Sequence, residues 1–599
     1  MDVLRDNFID ILPVVTDAIN ESDFIAIDGE FTGIGKGLPS KVLFDTPAQR
    51  YSRLKTDLSG IIIIQYGICS FKWNEETKCY DAKPFNFYIF PRPYKGKEPF
   101  FSCQSSSLEF LAGQNFDFNK LIRNGLSYMP PSQEASQRGK IEQLYAKNDL
   151  QTAPETREDN KAGLKSPLFI PSTMKEFVDE ICSKIETFIQ SEELSLDLPK
   201  VSAFKRKLTY EVIEDRFASK FYVETVQLNK NDKQMRLRKV DEEERKKLLS
   251  SKNAEKMAEF ETAVGFLTIA KLLSRSQKLI VGHNMLIDLM LTINQFFTPL
   301  PDSYDDFKEI VQTFFPKLID TKLLATSEPL KKKVPTSALD PLFAFLKDNF
   351  KEPEIGFEDG FGEYSEGNDK FHEAGYDAYC TGFSFLKMAS HLCKLQQPED
   401  ELREINLNAE ILNPFINRVF VMRINDLTYL TMDAPDDIPE RKHVFHLQFP
   451  NNWKYADVNE LFSQFGNVYT AFLDDTTAYV SLDKPENADE VIRKLVVQKN
   501  SGPCRVITYK QSVGLDPLDK YDKAEFLAIQ EADCNGEKDK RRTKRKFEDT
   551  LEEGEVVSSP EATAPVDEVT PSNNADACAE VPKKKKPSEA KEFYEPDDW

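Results

Sequence analysis

Asp28 and Glu30 are the first residues in the chain whose types and spacing could do chemistry. They lie two residues apart at the end of an apolar, partly β-branched run, residues 24–27, which predicts a buried strand. Because side chains alternate faces along a strand, both carboxylates would project from the same side. Two adjacent carboxylates are unfavourable unless a cation joins them. The pair therefore indicates a divalent-metal site, although an isolated D-x-E is more often a turn with solvated acids.

Three later residues decide in favour of the metal site. Asp288 lies one turn into a predicted helix, and His372 and Asp377 lie at the start of another in H-x4-D spacing. The chain order D-x-E, D, H-x4-D is much more specific than any single piece. Four carboxylates can hold two Mg²⁺ ions about 3.5–4 Å apart, an arrangement that activates water for attack on a phosphodiester. The histidine suits a general base that takes the proton of that water.

Short apolar segments predict the elements that would position these residues. We expect a helix over residues 1–20 and three strands, residues 24–27, 61–69 and 85–91, in an antiparallel meander. The polar segment 128–165 has the composition of a linker. It would separate the first catalytic strand from the elements that carry the other catalytic residues.

Beyond that segment, two amphipathic helices and a strand predict a small inserted domain, and the charged residues 241–262 predict a solvated connecting helix. With 599 residues the chain is too long for one core. The segments we expect are the nuclease domain in two parts (1–165 and 241–395), the inserted domain (166–240), a connector (396–440), a βαββαβ domain (441–512) and a disordered tail (513–599).

Composition limits the class of protein. The net charge of -22 argues against a surface coated with nucleic-acid-binding charge, but not against local basic patches. The nine cysteines include no CxxC pair, so we expect reduced thiols in an intracellular protein. No apolar run approaches ~18 residues, so no membrane span is expected. Two basic clusters in the tail, residues 538–546 and 582–587, favour nuclear import signals or weak RNA contacts over a merely solvated charge run.

The catalytic pattern resembles the DEDDh exonucleases of the ribonuclease-H-like superfamily. Within them, the segments FIAIDGEFTGI, VGHNMLIDLM and HEAGYDAYCTG resemble the poly(A)-specific deadenylases, as do FDTPAQRY, CQSSSLEFLA, FDFNKLIRNG, KVDEEERKK, LIDTKLLA, LFSQFGN, LDDTTAYVSL and the terminal PDDW. The resemblance covers nearly the whole chain before the tail. It implies an α/β ribonuclease-H-like fold, a mixed sheet flanked by helices, with an inserted α/β domain that binds single-stranded nucleic acid and a C-terminal RNA-recognition motif.

The resemblance also implies an activity and its residues. The enzyme would be a 3′-to-5′ exoribonuclease that shortens the poly(A) tails of mRNA and other RNAs, releases 5′-AMP and works as a homodimer. Asp28, Glu30, Asp288 and Asp377 would hold two Mg²⁺ ions, and His372 would be the base. The RNA-binding positions would be Phe31, Ile34, Phe110, Asn284 and Lys322. Phe31 and Phe110 suit stacking on unpaired adenines, and Lys322 suits a phosphate.

Two accessory regions depart from the family pattern. The inserted domain resembles an Arg-xxx-His module, but no histidine follows its basic run Lys205 to Lys207, so a purely architectural or dimer-forming role competes with RNA binding. The third domain keeps Tyr479 but has Thr477 in place of a stacking aromatic. The family binds the 7-methylguanosine cap, which would stimulate the enzyme, through a tryptophan that is Phe472 here; phenylalanine offers a weaker π-face.

Other functions stay open at this point. A non-catalytic adaptor that binds RNA or the cap would not need the complete set of five catalytic residues. Related 3′ trimmers of small non-coding RNAs tend to carry a C-terminal membrane helix and to lack the third domain, the opposite of this chain. A DNA exonuclease would share the fold. We expect the protein in the nucleus and cytoplasm, with the nucleolus as a candidate nuclear location.

Overall fold

A computed structural model describes residues 1–35, 43–94, 98–151, 170–217, 220–228, 233–364, 372–396, 404–422, 424, 426–497 and 503–520. The chain forms two compact units. The first comprises Met1–Lys36, Tyr51–Phe420 and Tyr429–Pro435, and the second comprises Gly37–Arg50, Val421–Thr428 and Asp436–Trp599. Every helix in the described residues is too short or too polar to cross a membrane. Residues 521–599 lie outside the described residues, and so do both basic clusters of the tail.

The strands of the first unit fall into three sheets. In chain order they are β1 (Asp2–Val3), β2 (Phe24–Phe31), β3 (Ile63–Asn74), β4 (Cys79–Tyr88), β5 (Ser195–Asp197), β6 (Tyr222–Gln227), β7 (Lys233–Arg238), β8 (Leu279–Gly282), β9 (Leu318–Asp320), β10 (Ile355–Phe357), β11 (Arg418–Phe420) and β12 (Tyr429–Thr431).

The helices of the first unit cover these sheets and connect them. In chain order they are α1 (Phe8–Glu21), α2 (Pro47–Asp57, which begins in the second unit), α3 (Ser105–Gly113), α4 (Phe118–Asn124), α5 (Pro131–Gln151), α6 (Lys175–Gln190), α7 (Ala203–Arg216), α8 (Glu242–Val264), α9 (Phe266–Ser276), α10 (Leu286–Phe296), α11 (Tyr304–Phe314), α12 (Thr321–Thr326), α13 (Leu339–Asn349) and α14 (Ala374–Gln396).

The largest sheet is mixed and has the strand order β1-β4-β3-β2-β8-β9, with β10 also paired to β4. Strands β2, β3 and β4 are antiparallel neighbours, so the predicted meander is confirmed, while β8 and β9 run parallel to β2. Helix α14 packs across β2, β3 and β4 and is buried almost throughout. This mixed sheet with flanking helices confirms the predicted α/β nuclease fold.

The inserted region has a core of its own. Strands β5, β7 and β6 form an antiparallel sheet, and α6 and α7 contribute Ile181, Ile185 and Val212 to the core beneath it. Both helices and β6 agree with the sequence patterns. The hairpin partner β7 was not expected, because its residues KQMRLR place only Met235 and Leu237 among basic and polar side chains.

Two secondary-structure predictions were wrong. Residues 1–20 are not one helix: Asp2 and Val3 pair with β4 and the helix begins at Phe8. The predicted linker 128–165 contains the long helix α5, which packs against α8 through Ile141 and Phe260, and Arg138 forms an ion pair with Glu261 at 2.9 Å. The residues of α5 are mostly polar, so composition alone indicated a linker.

The second unit contains the βαββαβ domain. Its elements are β13 (Val444–Gln448), α15 (Tyr455–Phe462), β14 (Val468–Phe472), β15 (Thr477–Leu482), α16 (Ala488–Val491), β16 (Arg505–Thr508) and α17 (Tyr509–Ser512). The four strands form an antiparallel sheet in the order β14-β15-β13-β16, and one face packs on the helices. The predicted split arrangement of the third domain is therefore confirmed.

Candidate active site

Strand β2 emerges from the core where its carboxylates begin. Its first four residues are buried and its last four are half-buried. Asp28 lies opposite Gly67 of β3, and Glu30 lies opposite Gln65. The register then shifts between Glu30 and Phe31, an irregularity of the kind that re-aims side chains next to active sites. The strand end therefore presents Asp28, Glu30 and Phe31 beside one another.

Asp288 reaches the same strand end from helix α10. Its side chain is buried, and its Oδ1 lies 3.0 Å from the point where a Cβ on Gly29 would be. The absence of a side chain at Gly29 is therefore what lets the third carboxylate approach the backbone between Asp28 and Glu30.

The start of helix α14 brings the remaining two residues to the site. One side-chain ligand atom from each of Glu30, His372 and Asp377 lies within 4.8 Å of the others. The backbone N–H of His372 donates to Asp377 Oδ2 at 3.0 Å, with His372 in the left-handed region at φ 65°. Asp377 Oδ1 is buried and has no hydrogen-bond partner among the described residues. A buried carboxylate oxygen without a donor is well suited to a cation.

Two side chains of the sheet fix the start of α14. The backbone N–H of Ala374 donates to Gln65 Oε1 at 2.9 Å, and that of Gly375 donates to Asn86 Oδ1 at 3.2 Å. Helix starts leave such donors without partners inside the helix, and buried donors need other acceptors. Gly67 provides the room, because a Cβ there would lie 1.7 Å from the carbonyl oxygen of Ala374. Since Gly67 pairs with Asp28, the start of α14 lies next to β2.

The clustered carboxylates repel one another. Burial, and then the charge of Asp340, raises the pKa of Asp28 to about 7. Burial, followed by the charge of Asp28, raises the pKa of both Asp288 and Asp377. Such shifts express the unfavourable ionisation of close acids in a low dielectric. A divalent cation would remove that repulsion, so the donor set fits a metal.

Asp340 is an acidic neighbour that sequence reasoning missed. It lies in the first turn of α13, one turn before Phe343, whose ring packs 6.3 Å from that of Tyr376 beside Asp377. Acidic residues are common in the first turn of any helix because they complement its dipole. The sequence around Asp340 therefore carried no signal that distinguished it from an ordinary helix start.

His372 is covered by one of the predicted RNA-binding residues. The ring centroids of Phe110 and His372 lie 4.8 Å apart, with the planes at 79°. Burial lowers the pKa of His372 below its usual value. The imidazole is therefore neutral at neutral pH and able to accept a proton.

Of the other predicted RNA-binding residues, Phe31 lies against the carboxylates and Ile34 is tied to helix α3. The Phe31 ring lies 2.9 Å from the Cβ position of Gly29, so it borders Asp288. The backbone N–H of Ile34 donates to Gln104, the residue that precedes helix α3 and hence Phe110. Phe31 therefore lies beside Asp288 and Phe110 beside His372, and Ile34 is tied to the start of the helix that carries Phe110.

Asn284 and Lys322 follow the neighbouring parallel strands β8 and β9, whose carboxyl ends pair at Gly282 and Asp320. Asn284 has a left-handed backbone at φ 57°. The Lys322 side chain is mostly buried, with its ammonium 5.6 Å from the centroid of the Phe420 ring.

His283 directly follows β8 and is held by a hydrogen bond with the neighbouring segment. Its Nδ1 lies 2.8 Å from Thr321 Oγ1, and burial, helped by the charge of Lys322, lowers its pKa to about 3.

Comparison with known proteins assigns the family. The model for "CAF1 family ribonuclease" matches residues 3–385, and the model for "RNA binding domain" matches residues 434–514. Poly(A)-specific ribonuclease PARN of Xenopus laevis is 39% identical over 519 residues, 86% of this chain and 81% of that protein. The chain belongs to the CAF1 ribonuclease family, among the poly(A)-specific ribonucleases.

Two further comparisons are more distant. The pre-piRNA 3′-exonuclease trimmer of Bombyx mori is 27% identical over 526 residues, 86% of this chain and 94% of that protein. Among solved structures, the Mg²⁺- and Mn²⁺-bound form of S. pombe Pop2p covers 65% of this chain and 91% of its own, at 14% identity and a TM-score of 0.30. The structural likeness is too weak to carry an argument about the site.

The third domain of this CAF1 ribonuclease buries Tyr479, the aromatic residue that it keeps of the RNA-recognition motif. Tyr479 of β15 is 6% exposed and lies against Phe44, with ring centroids 5.9 Å apart. Phe44 belongs to the chain segment that follows the catalytic strand. Arg441 holds this segment: its guanidinium donates to the carbonyl oxygen of Phe44 and pairs with Asp426 at 2.6 Å. The sheet face on which RNA-recognition motifs stack bases is thus covered at Tyr479.

Phe472 lies on the opposite face of the same sheet. It is half-buried on the edge strand β14, and its ring centroid lies 5.7 Å from that of Phe449, which in turn stacks on Trp453 at 6.0 Å. In the inserted domain, the Lys205 ammonium lies 4.6 Å from the centroid of the Phe177 ring, and Lys207 pairs with Glu211 at 3.8 Å. The basic run is therefore partly engaged within the domain.

Proposed function

We propose that this protein is a 3′-to-5′ exoribonuclease that shortens the poly(A) tails of mRNA and other RNAs and releases 5′-AMP. The observation that carries this proposal is the convergence of Asp28, Glu30, Asp288, His372 and Asp377 at one strand end. A module that only binds RNA has no use for such a mutually repelling set. The family membership of the chain supports the same reaction.

The four carboxylates, Asp28, Glu30, Asp288 and Asp377, would hold two Mg²⁺ ions. When bound, the ions would lower the pKa of a water molecule and neutralise charge on the phosphate and the leaving oxygen. The unpartnered Oδ1 of Asp377 and the raised pKa values of Asp28 and Asp288 support this assignment.

His372 acts as the general base. It is neutral because burial lowers its pKa, so it can take a proton from the attacking water. The water oxygen forms a bond to the terminal phosphorus, and the bond from phosphorus to the 3′ oxygen of the preceding nucleotide breaks. That 3′ oxygen takes up a proton from solvent, and 5′-AMP carries the water oxygen away.

The terminal adenosines bind beside the carboxylates. Phe31 and Phe110 stack on bases, a contact worth about 1–3 kcal/mol per base. Ile34 packs beside them, while Asn284 hydrogen-bonds a base or ribose and Lys322 neutralises a phosphate. Preference for adenosine then comes from stacking and pocket shape, because a single strand offers no groove to read.

Three finer features belong to the same proposal. The 5′ cap binds at Phe472, where the aromatic cluster with Phe449 and Trp453 supports a stacking surface. The protein works as a homodimer through its nuclease and inserted domains. It acts in the nucleus and cytoplasm.

A 3′ trimmer of small non-coding RNAs is the second candidate, supported by the likeness to the silkworm trimmer over most of both chains.

One assay separates the candidates. Purified protein is incubated with Mg²⁺ and 5′-labelled oligo(A), oligo(U), oligo(dA) and an RNA of mixed sequence. The proposal predicts that oligo(A) is shortened fastest. Equal rates on oligo(A) and mixed RNA would favour the trimmer. Equal rates on oligo(A) and oligo(dA) would favour a general exonuclease. Binding without cleavage would favour an adaptor. D28N should abolish cleavage but retain RNA binding.

A further inference from the structure

A carboxylate outside the catalytic set, Asp320, is completely buried at the end of β9. It accepts four backbone hydrogen bonds. Its Oδ1 accepts from Asn284 at 2.9 Å and Lys322 at 3.0 Å, and its Oδ2 accepts from Met285 and Phe420, both at 3.1 Å. Hydrogen bonds from N–H donors to a carboxylate are stronger than bonds between neutral groups. These four join three chain segments that are distant in sequence, residues 284–285, 320–322 and 420.

The donors include the backbone of both RNA-binding residues that follow β8 and β9. Asn284 has φ 57°, a conformation that non-glycine residues rarely adopt without support. The hydrogen bonds from Asn284 and Met285 hold this turn directly before helix α10. The direction of the Asn284 side chain therefore depends on Asp320.

The same carboxylate sets the position of Lys322. It caps helix α12 through the N–H of Lys322, and it holds Phe420, whose ring lies below the Lys322 ammonium at 5.6 Å. The backbone of Lys322 is thus fixed by the Asp320 cap, and its ammonium group is fixed by the Phe420 ring. Without the hydrogen bond from the Phe420 N–H to Asp320, β11 would lose a contact that holds the Phe420 ring in place.

We infer that Asp320 is the positioning residue for RNA binding by Asn284 and Lys322, which it orients through their backbones without touching the RNA. The inference rests on the proposed function, because it takes the ligand of this pair to be the sugar-phosphate backbone and bases of a single strand. A carboxylate is required for this role. An amide side chain has one oxygen to accept and an NH2 group that would face two of the four N–H donors.

The first experiment measures D320N in the full chain. Binding of fluorescent oligo(A) is followed by anisotropy in EDTA, so that affinity is measured without turnover. We expect the Kd to rise about tenfold, with a matching rise in KM and a smaller change in kcat. The matched control is E134Q, which changes another buried carboxylate that accepts from Arg138 and Lys271 and lies outside the RNA-binding set. It should leave Kd and KM unchanged.

A double-mutant cycle distinguishes positioning from general damage. In a background lacking the side chains of both Asn284 and Lys322, D320N should add less than twofold to the Kd, because its effect passes through those side chains. A full tenfold effect in that background would overturn the inference. So would an unchanged Kd in the single variant.

A measurement on the unaltered protein covers the case in which D320N does not fold. Hydrogen exchange of peptides that contain Asn284, Met285 and Lys322 should be strongly retarded before RNA is added, because Asp320 already holds these amides. Rapid exchange in the free protein would contradict the inference. Failure of the wild type to cleave oligo(A) would instead contradict the proposed function, while the binding and exchange results would still decide the role of Asp320.

Discussion

The ring of Phe110 lies edge-on against the imidazole of His372, with centroids 4.8 Å apart. The same phenylalanine is a predicted stacking partner for an adenine, so one side chain would contact both the substrate and the residue that accepts the proton. Removing the ring in F110A should weaken stacking and raise KM about tenfold. It should also admit water to His372, which raises the pKa of the histidine toward its usual value.

The role of His372 as general base determines the direction in which the pH profile of F110A should move. A general base acts when unprotonated, so a lowered pKa keeps the enzyme active at more acidic pH than an exposed histidine would allow. In F110A the acidic limb of the profile of kcat/KM against pH should therefore move to higher pH. F118A, which removes a half-buried ring from α4, is the control and should leave the limb in place. An unshifted limb in F110A would show that the Phe110 ring does not set the pKa of His372.

The repulsion among the catalytic carboxylates predicts how the metal-free protein responds to pH. Asp28 has a folded-state pKa of about 7, above its value in the unfolded chain, so the folded state binds more protons between about pH 4 and pH 7. Stability of the metal-free protein should then fall as the pH rises through this window. D28N should raise its Tm at pH 7.5, although it abolishes cleavage.

In excess Mg²⁺ the Tm of the wild type should be higher than that of D28N. An ion that binds only the folded state stabilises it, and the wild type offers the better site. Thermal melts in EDTA and in excess Mg²⁺ test both statements. A lower Tm for D28N than for the wild type in EDTA would contradict the proposed repulsion.

The residues that the structure brings together at the end of β2 could be selected from the sequence because each belongs to a recognisable local pattern. Asp28 and Glu30 lie near the end of a strand that begins with an apolar run, and Asp377 lies in the first turn of a buried helix. Their chain order with Asp288 and His372 predicted that the carboxylates share a metal, and that role stays a prediction. The acceptors that hold the helix start, Gln65 and Asn86, carry no such signal. They lie inside strands, and their partners are about 300 residues away in sequence.

Elements that bury only one narrow side were harder to predict than the core. Helix α5 packs on α8, and its residues are otherwise polar, so composition indicated a linker. The role of Asp320 was hidden for a related reason. An acid directly before a helix indicates an ordinary cap, and only the fold brings the N–H groups of Met285 and Phe420 to its second oxygen.

Gly67 should tolerate no side chain. A Cβ there would lie 1.7 Å from the carbonyl oxygen of Ala374, a backbone atom that can move only if α14 moves. G67A should therefore displace Asp377 from Asp28, lower cleavage at least a hundredfold and destabilise the protein by about 1–3 kcal/mol. G113A is the matched control, since nothing lies within 4 Å of a Cβ at Gly113, which ends α3. Normal activity in G67A would show that the helix start does not need this close approach.

Tyr479 should contribute to stability and not to RNA binding. Its ring packs between Phe44 and Tyr509, with centroids 5.9 Å and 5.6 Å away, so an incoming base would meet a covered surface. Y479A removes a buried aromatic ring, a change that typically costs about 3–5 kcal/mol, and should speed hydrogen exchange in peptides from β14 and β15. The affinity for oligo(A) should stay the same. Y469A removes a ring that is 51% exposed on β14 and should leave exchange nearly unchanged. Weaker RNA binding by Y479A with unaltered exchange would mean that this face of the sheet is accessible and stacks bases, as the sheets of RNA-recognition motifs do.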